Sequence, residues 1–229
     1  MGGQACVLYG AAEFSRDADF AILASPENLD RLQGALDELH AEVIAVPPFE
    51  AQYLERGHAV HFRCRHPDAP GFRVDVMAHL RGVAPFAALW ARRTSWDLSE
   101  SFQIDSLSLP DLVASKKTQR DKDWPMVRRL VEVSYDAGFS SSTPERIDFW
   151  LRELRTPELL LDAVRWFKEE AEEVSRERAV IRAALADDVG AIADSLAAEE
   201  ARERELDRVY WTPLKAELER LRHDRRRIP

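Results

Sequence analysis

The chain has 229 residues, of which 45% are apolar, and it carries a formal net charge of −9 at pH 7. The apolar content is sufficient for a hydrophobic core, and the acidic balance argues against a protein that coats DNA through a broad basic surface. The chain has no run of 18 apolar residues and no basic, apolar leader, which predicts a cytoplasmic protein that does not enter a membrane.

The first twenty residues combine a glycine pair with two closely spaced acids. Gly2 and Gly3 precede a short apolar run, a pattern typical of a turn that opens a helix and can bind a phosphate. Residues 16–23 read as a strand, in which Asp17 and Asp19 share one face because side chains alternate with a period of two. The other face is predicted to pack into the core through Ala18, Phe20 and Ile22.

The next hundred residues predict a helix and a β-hairpin. Ser25 and Pro26 begin an amphipathic helix that extends to His40, and residues 43–46 form a short strand. Strands over 58–65 and 72–78 flank a proline and glycine turn, and they place Asp75 on the polar face of the second strand. Residues 83–105 are expected to form a helix and a loop.

A further helix is predicted to begin at Ser108 and to carry a row of polar residues. At spacings of i, i+4 and i+7, Lys116, Arg120 and Asp123 would line one helix face able to bind a triphosphate. An ordinary solvated face is the alternative, with Asp123 serving instead to cap the next helix, which Pro125 would open.

The composition predicts two domains separated by residues 140–143, which read Ser-Ser-Ser-Thr. The fold class is α+β: residues 1–139 would form a small mixed sheet flanked by helices, and residues 144–229 an all-helical extension. Within that extension, a long helix is expected from Pro157, with interruptions at Gly190 and Pro213.

The acidic residues indicate metal chemistry of one type. If Asp17, Asp19 and Asp75 converge from neighbouring strands, their mutual repulsion requires a counter-charge, and oxygen ligands favour Mg²⁺ or Mn²⁺. Histidines lack metal-ligand spacing, and His58, His61 and His66 are interpreted as strand-edge residues. The two cysteines, Cys6 and Cys64, lie in apolar stretches and are predicted to be buried free thiols.

The glycine pair, the sequence Asp17-Ala-Asp-Phe20 and the later strand aspartate together resemble the nucleotidyltransferase superfamily with the DNA polymerase beta-like fold. The stretch 109–124 is similar to the helix that follows the core in small bacterial members, including relatives of abortive-infection-type toxins. Family members enter the glycine pair from a strand, and only Met1 precedes Gly2 here, so the first strand is expected to be missing.

The resemblance implies that Asp17, Asp19 and Asp75 are catalytic metal ligands, and that an NTP is the substrate. The expected nucleotide-binding residues are Gly2, Gly3, Arg16, Lys116, Arg120 and Asp123. The expected reaction transfers an NMP to a hydroxyl of RNA, such as a tRNA end, or of a protein, in a toxin that has a cognate antitoxin. Two alternatives remain open: a catalytically inactive nucleotide- or partner-binding module, and a transferase that modifies a small antibiotic-type molecule.

Overall fold

In the computed structural model, which describes residues 1–225, the chain forms two compact units. The first unit comprises Met1–Leu8, Ala12–Ser115 and the chain from Arg208 onward. The second comprises Tyr9–Ala11 and Lys116–Asp207, so the predicted separating run at 140–143 lies inside it. The architecture is α+β with a small mixed sheet and a helical C-terminal region, which confirms the fold class at that level.

The first unit contains both sheets of the protein. In chain order, the elements of this unit as far as Ser115 are α1 (Gly2–Leu8), β1 (Asp17–Ala21), α2 (Pro26–Glu38), β2 (Glu42–Val43), α3 (Ala51–Glu55), β3 (Val60–Arg63), β4 (Arg73–Met77), α4 (Phe86–Ala91), β5 (Thr94–Ser99), β6 (Phe102–Ser106) and α5 (Leu109–Ser115).

The main sheet has four strands in the order β1-β4-β3-β2. Strand β1 runs parallel to β4, whereas β3 is antiparallel to both of its neighbours, as the predicted hairpin requires. Alternate residues of β3 and β4 are buried on one face of the sheet and pack against Leu36 and Leu54. These strand residues are Val60, Phe62, Val74 and Val76.

The capping residues that the sequence predicts for α2 are the ones observed. The Ser25 hydroxyl oxygen accepts a hydrogen bond from the backbone N–H of Asn28 at 3.4 Å, and Pro26 occupies the first turn. A proline there loses no helical hydrogen bond, and its ring already holds the helical φ angle. The helix ends at Glu38, and His40 follows with a φ of 47°.

Three predictions for the first unit need correction. Residues 94–106 form the hairpin β5–β6 rather than a loop, with the Trp96 indole N–H donating to the Ser106 hydroxyl at 2.9 Å. Phe20 is 48% exposed instead of lying in the core, because β1 is an outer strand of the sheet. The strand-edge interpretation fails for His61, which lies in the inner strand β3.

The same interpretation fails for His58, which is fully buried in the loop before β3. Its Nε2 atom lies 2.9 Å from Oε2 of Glu217, and that carboxylate also pairs with Arg56. Glu217 belongs to the last helix of the chain, so this segment contributes a polar partner to the interior of the first unit. Cys6 and Cys64 are buried free thiols, as the sequence predicts.

The second unit is helical. Its elements are α6 (Asp123–Gly138), a 3₁₀ turn (Phe139–Ser141), α7 (Pro144–Glu153), α8 (Pro157–Trp166), α9 (Lys168–Val174), α10 (Ala179–Leu185) and the first part of α11 (Val189–Arg225). Aromatic rings fill part of its interior: Trp150 is fully buried, with Tyr135 edge-on to it at a centroid distance of 5.2 Å. The Trp150 indole N–H is satisfied by the Ser134 hydroxyl at 3.1 Å.

The helices after Thr156 differ from those predicted. Phe167, with φ −119° and ψ 53°, separates α8 from α9, so the long helix expected from Pro157 is broken. The interruption expected at Gly190 corresponds to the break between α10, which ends at Leu185, and α11, which begins at Val189. The interruption expected at Pro213 is wrong, because α11 continues through that residue. Proline removes one backbone donor at position 213, and the adjacent Thr212 hydroxyl donates to the Arg208 carbonyl at 2.7 Å. Over residues 1–225, no helix is both long and apolar enough to cross a membrane.

Candidate active site

The parallel pairing of β1 with β4 brings two of the predicted site residues together. Asp19 is the register partner of Asp75, and Asp75 is in turn the partner of His61 on β3. Register partners on neighbouring strands project from the same face of a sheet. Asp19, Asp75 and His61 therefore form a row across three strands, on the face opposite to the apolar core.

A second polar row lies one pleat away on the same face. Asp17 is the partner of Arg73, and Arg73 is the partner of Arg63. The strand prediction for Asp17, Asp19 and Asp75 is thus confirmed, including their shared face. Two neighbours that the sequence interpretation did not assign to the site, Arg73 and His61, join them.

Asp75 is held by both of these neighbours. The Arg73 guanidinium donates from Nε to Oδ1 and from Nη2 to Oδ2, each at 2.8 Å. The Nδ1 atom of His61 lies 2.8 Å from Oδ1 of Asp75 and 3.1 Å from Nη2 of Arg73. Since one ring nitrogen either donates or accepts, it can satisfy only one of these two contacts at a time.

The two central carboxylates have opposite electrostatic environments. Burial opposes ionisation of Asp75, but its hydrogen bonds with His61 and Arg73 outweigh that cost and bring its pKa below the usual value. Burial raises the pKa of Asp19, and the charges of Asp17 and Asp75 raise it further. Ionisation is therefore more costly for Asp19 than for Asp75.

The glycine pair packs directly against Asp19 and the approach to β1. A Cβ atom at Gly2 would lie 1.8 Å from Oδ2 of Asp19, and the φ angle of Gly2 is +66°. A Cβ at Gly3 would lie 2.3 Å from the hydroxyl oxygen of Ser15. The backbone N–H of Gly3 also forms a hydrogen bond with the Asp19 carboxylate. The positive φ angle and the close approach to Asp19 together explain the glycine at position 2 before any ligand is considered.

The Asp17 carboxylate is oriented by Ser15, which precedes strand β1 by two residues. The Ser15 hydroxyl lies 3.0 Å from Oδ1 of Asp17 and 3.1 Å from the Asp17 carbonyl oxygen, so Ser15 fixes the first carboxylate of the Asp-x-Asp strand. Arg16, a predicted nucleotide-binding residue, is exposed, and its guanidinium carbon lies 5.8 Å from the ring centroid of Phe14.

The prediction that Lys116, Arg120 and Asp123 line one face of a single helix is wrong. Helix α5 ends at Ser115, residues 116–122 form turns, and α6 begins at Asp123. Asp123 lies in the first turn of α6, where its carboxylate accepts hydrogen bonds from Thr118 and from Nε of Arg120, at 2.5 and 2.7 Å. Lys116, Arg120 and Asp123 all belong to the second unit, and their nucleotide contacts stay a prediction.

The donor chemistry of the three aspartates suits the metal ion that the resemblance implies. They offer only oxygen ligands, and a divalent cation would offset the mutual repulsion that raises the pKa of Asp19. In the part of the chain that the structure describes, no three acidic, histidine or cysteine side chains are arranged as ligands of one ion. Arg73 binds both oxygens of Asp75, so a cation at Asp75 would have to displace this guanidinium.

No protein-family model matches the chain, and neither a curated protein nor a solved structure matches it. The site therefore has to be interpreted from its own residues. Arg73 could have been found from the sequence, because it lies two residues before Asp75 on the same strand face. His61 could not, since its position opposite Asp75 depends on the register of the hairpin.

Proposed function

We propose that the protein is a metal-dependent nucleotidyltransferase, which transfers an NMP from an NTP to a hydroxyl acceptor and releases pyrophosphate. The observation that carries the proposal is the in-register pairing of Asp19 with Asp75, with Asp17 on the same face of the sheet. This arrangement places three carboxylates close together on one face, and burial with the charges of Asp17 and Asp75 opposes ionisation of Asp19. Titratable groups in such an environment are frequent at functional sites.

In the proposed reaction, the acceptor oxygen attacks the α-phosphorus of the NTP, the bond to the pyrophosphate oxygen breaks, and the hydroxyl proton passes to solvent water. Asp17, Asp19 and Asp75 would hold Mg²⁺ or Mn²⁺, which supplies positive charge to the phosphates and lowers the pKa of the acceptor hydroxyl. Ser15 and the backbone of Gly3 orient the first two carboxylates before substrate arrives. Such preorganisation reduces the reorganisation needed during the reaction.

The nature of the acceptor is a further part of the proposal. RNA, including a tRNA end, or a protein side chain would suit a toxin that is restrained by an antitoxin, and a small hydroxylated molecule would suit an antibiotic-modifying enzyme. All three acceptors present a hydroxyl to the same carboxylates. These three possibilities are distinguished by which acceptor receives the NMP group from a labelled NTP.

Label transfer from each α-³²P-labelled NTP tests the proposal directly. With Mg²⁺ or Mn²⁺ present, total RNA, total protein and a panel of hydroxylated small molecules serve as acceptors. We expect transfer by the natural sequence, and a loss of at least about 100-fold in Asp17→Ala and Asp19→Asn, as is typical when a charge-stabilising group is removed. Asp68→Asn is the matched control, because its side chain is 93% exposed in the hairpin loop.

A folded protein that transfers no label from any NTP to any acceptor class would contradict the proposal. The occupation of Asp75 by Arg73 and His61 favours one second candidate, a module that binds nucleotide without turnover. That candidate predicts saturable NTP binding with no release of pyrophosphate. Equilibrium dialysis with each labelled NTP, followed by a pyrophosphate assay on the same samples, distinguishes the two functions.

A further inference from the structure

Arg73 places a positive charge in direct contact with one carboxylate of the sheet face. Its guanidinium binds both oxygens of Asp75. Asp17 is its register partner on β1, and Asp19 lies on the same face of that strand. Arg73 thus provides positive charge at the place where a divalent cation would provide it.

The guanidinium also retains a free side. The Arg73 side chain is 43% exposed, whereas the Asp75 side chain is only 11% exposed. Nε and Nη2 make all of its hydrogen bonds within residues 1–225, which leaves the donors of Nη1 available. A planar guanidinium with a free edge matches the geometry of a phosphate group and binds it with two parallel hydrogen bonds.

We propose that Arg73 is an exchangeable counter-ion: it neutralises Asp75 in the metal-free protein, gives up this carboxylate to the incoming divalent cation, and then binds a phosphate of the NTP. The inference rests on the proposed function and adds a role for a residue outside the three aspartates. The exchange leaves each charged group with a partner of opposite charge, because the divalent cation pairs with Asp75 and the guanidinium pairs with the anionic substrate.

The competition follows from the contacts. A metal ion and Arg73 both require the oxygens of Asp75, and both of these oxygens are engaged by Arg73. Because the guanidinium is partly exposed, the pair is weaker than a fully buried one and can open at a moderate cost. Arg63 is the cross-strand neighbour of Arg73 on the same face, and within the described chain its side chain makes no hydrogen bond or ion pair, which makes it a matched control.

The test measures two equilibria that the proposal moves in opposite directions. In the first, Mn²⁺ binding without nucleotide is followed by electron paramagnetic resonance at pH 7.5. Arg73→Gln should bind Mn²⁺ about fivefold to thirtyfold more tightly than the natural sequence, since a partly buried charged pair no longer competes. Arg63→Gln should change the affinity by about twofold or less. In a protein that already carries Asp75→Asn, adding Arg73→Gln should no longer tighten Mn²⁺ binding.

In the second equilibrium, the α,β-methylene analogues of ATP, GTP, CTP and UTP bind in the presence of saturating Mg²⁺. Here Arg73→Gln should weaken the analogue that binds best by about tenfold or more, because a charge-assisted bidentate contact is lost. Arg73→Lys keeps the charge without the fork and should lie between the natural sequence and Arg73→Gln in both measurements. Thermal unfolding of each variant verifies that it is folded.

A merely structural role for Arg73 predicts that Arg73→Gln weakens Mn²⁺ and nucleotide binding alike, and this result would overturn the inference. Equal Mn²⁺ affinity in the natural sequence and in all Arg73 variants would also overturn the inference. If Asp17→Ala abolishes Mn²⁺ binding in that case, the metal site of the proposed function still stands. If neither the natural sequence nor Arg73→Gln binds Mn²⁺, the metal site of the proposed function fails together with the inference. Label transfer measured separately distinguishes these cases.

Discussion

The two faces of the four-stranded sheet carry opposite chemistry on alternating residues of the same strands. Val74 and Val76 of β4 are buried in the apolar core, whereas Arg73 and Asp75, between and beside them, point to the other face. The apolar face gains free energy from burial, and the polar face spends some of it on neighbouring carboxylates. The buried residues of β3 and β4 thus hold these two strands in the register that brings His61 opposite Asp75.

The largest expected effect concerns the apolar face. Phe62 is 2% exposed and packs edge-on to Phe49 at a centroid distance of 5.4 Å. Phe62→Ala should lower the free energy of unfolding by about 3–5 kcal/mol through lost burial and a cavity. The adjacent His61→Ala alters the opposite face and should cost about 1 kcal/mol. Chemical denaturation measures both, and equal losses would contradict the division between the faces.

The next effect concerns the close approach of Gly2 to Asp19. Gly2→Ala introduces a Cβ at a φ of +66°, directly against the Asp19 carboxylate, and should destabilise the fold by about 1–2 kcal/mol while reducing label transfer. Gly34→Ala is the control, because a Cβ there meets nothing within 4 Å inside helix α2. It should stabilise the protein by roughly 0.5–1 kcal/mol. Thermal unfolding that shows the same sign for both would refute this explanation.

Neutralising the two central carboxylates should have smaller effects of opposite sign. Asp75→Asn leaves Arg73 and His61 without their anionic partner and should cost about 1 kcal/mol, discounted for the exposure of Arg73. Asp19→Asn removes a charge that burial and its neighbours disfavour, and should stabilise the fold by about 0.5–1 kcal/mol. Both should abolish label transfer. Urea titrations at pH 7 provide the comparison, and destabilisation by Asp19→Asn would count against the electrostatic account.

The smallest effect is a change in the pH dependence of stability. The pKa of Asp19 is raised above 3.8, so between that value and the raised pKa the folded protein binds more protons than the unfolded chain. Stability due to Asp19 therefore falls as the pH rises through this window. The pKa of Asp75 is lowered from 3.8, so its contribution is fully present above 3.8 and is lost as the pH falls through the folded value.

Unfolding measured at intervals between pH 3 and 7 tests these signs. Asp19→Asn should remove a contribution to the free energy of unfolding that falls as the pH rises. Asp75→Asn should remove a contribution that increases as the pH rises. Asp68→Asn again serves as the exposed control. If the two variants change the pH profile in the same direction, the assignment of opposite environments to Asp19 and Asp75 is wrong.

Periodicity alone predicted much of this sheet. The alternation in residues 16–23 and 72–78 identified the strands and the shared faces of the aspartates, and Ser25 with Pro26 identified the start of α2. Periodicity does not contain the register between strands, which is set by packing of the apolar face and by the turn. The contacts of Asp75 with His61 therefore required the structure.

The wrong predictions for residues 116–122 and for His58 have a common physical origin, which is contact between residues distant in sequence. Residues 116–122 are compatible with a helix, but the backbone N–H of Gln119 donates instead to the Asp207 carboxylate at 2.9 Å. No local signal in the sequence announces such a partner. The same holds for His58, whose burial depends on Glu217. Local propensity is a weak prior that tertiary contacts override.

Helix α11 gives the chain an unusual property for dissection. Residues 189–207 belong to the second unit and residues from 208 onward to the first, so the sheet-containing unit is not a continuous stretch of chain. A fragment that ends at Ser115 would lack Leu214 and Glu217, and would leave the fully buried His58 without its carboxylate partner. Limited proteolysis within α11 should therefore impair the aspartate site, although the cut lies more than a hundred residues beyond Asp75.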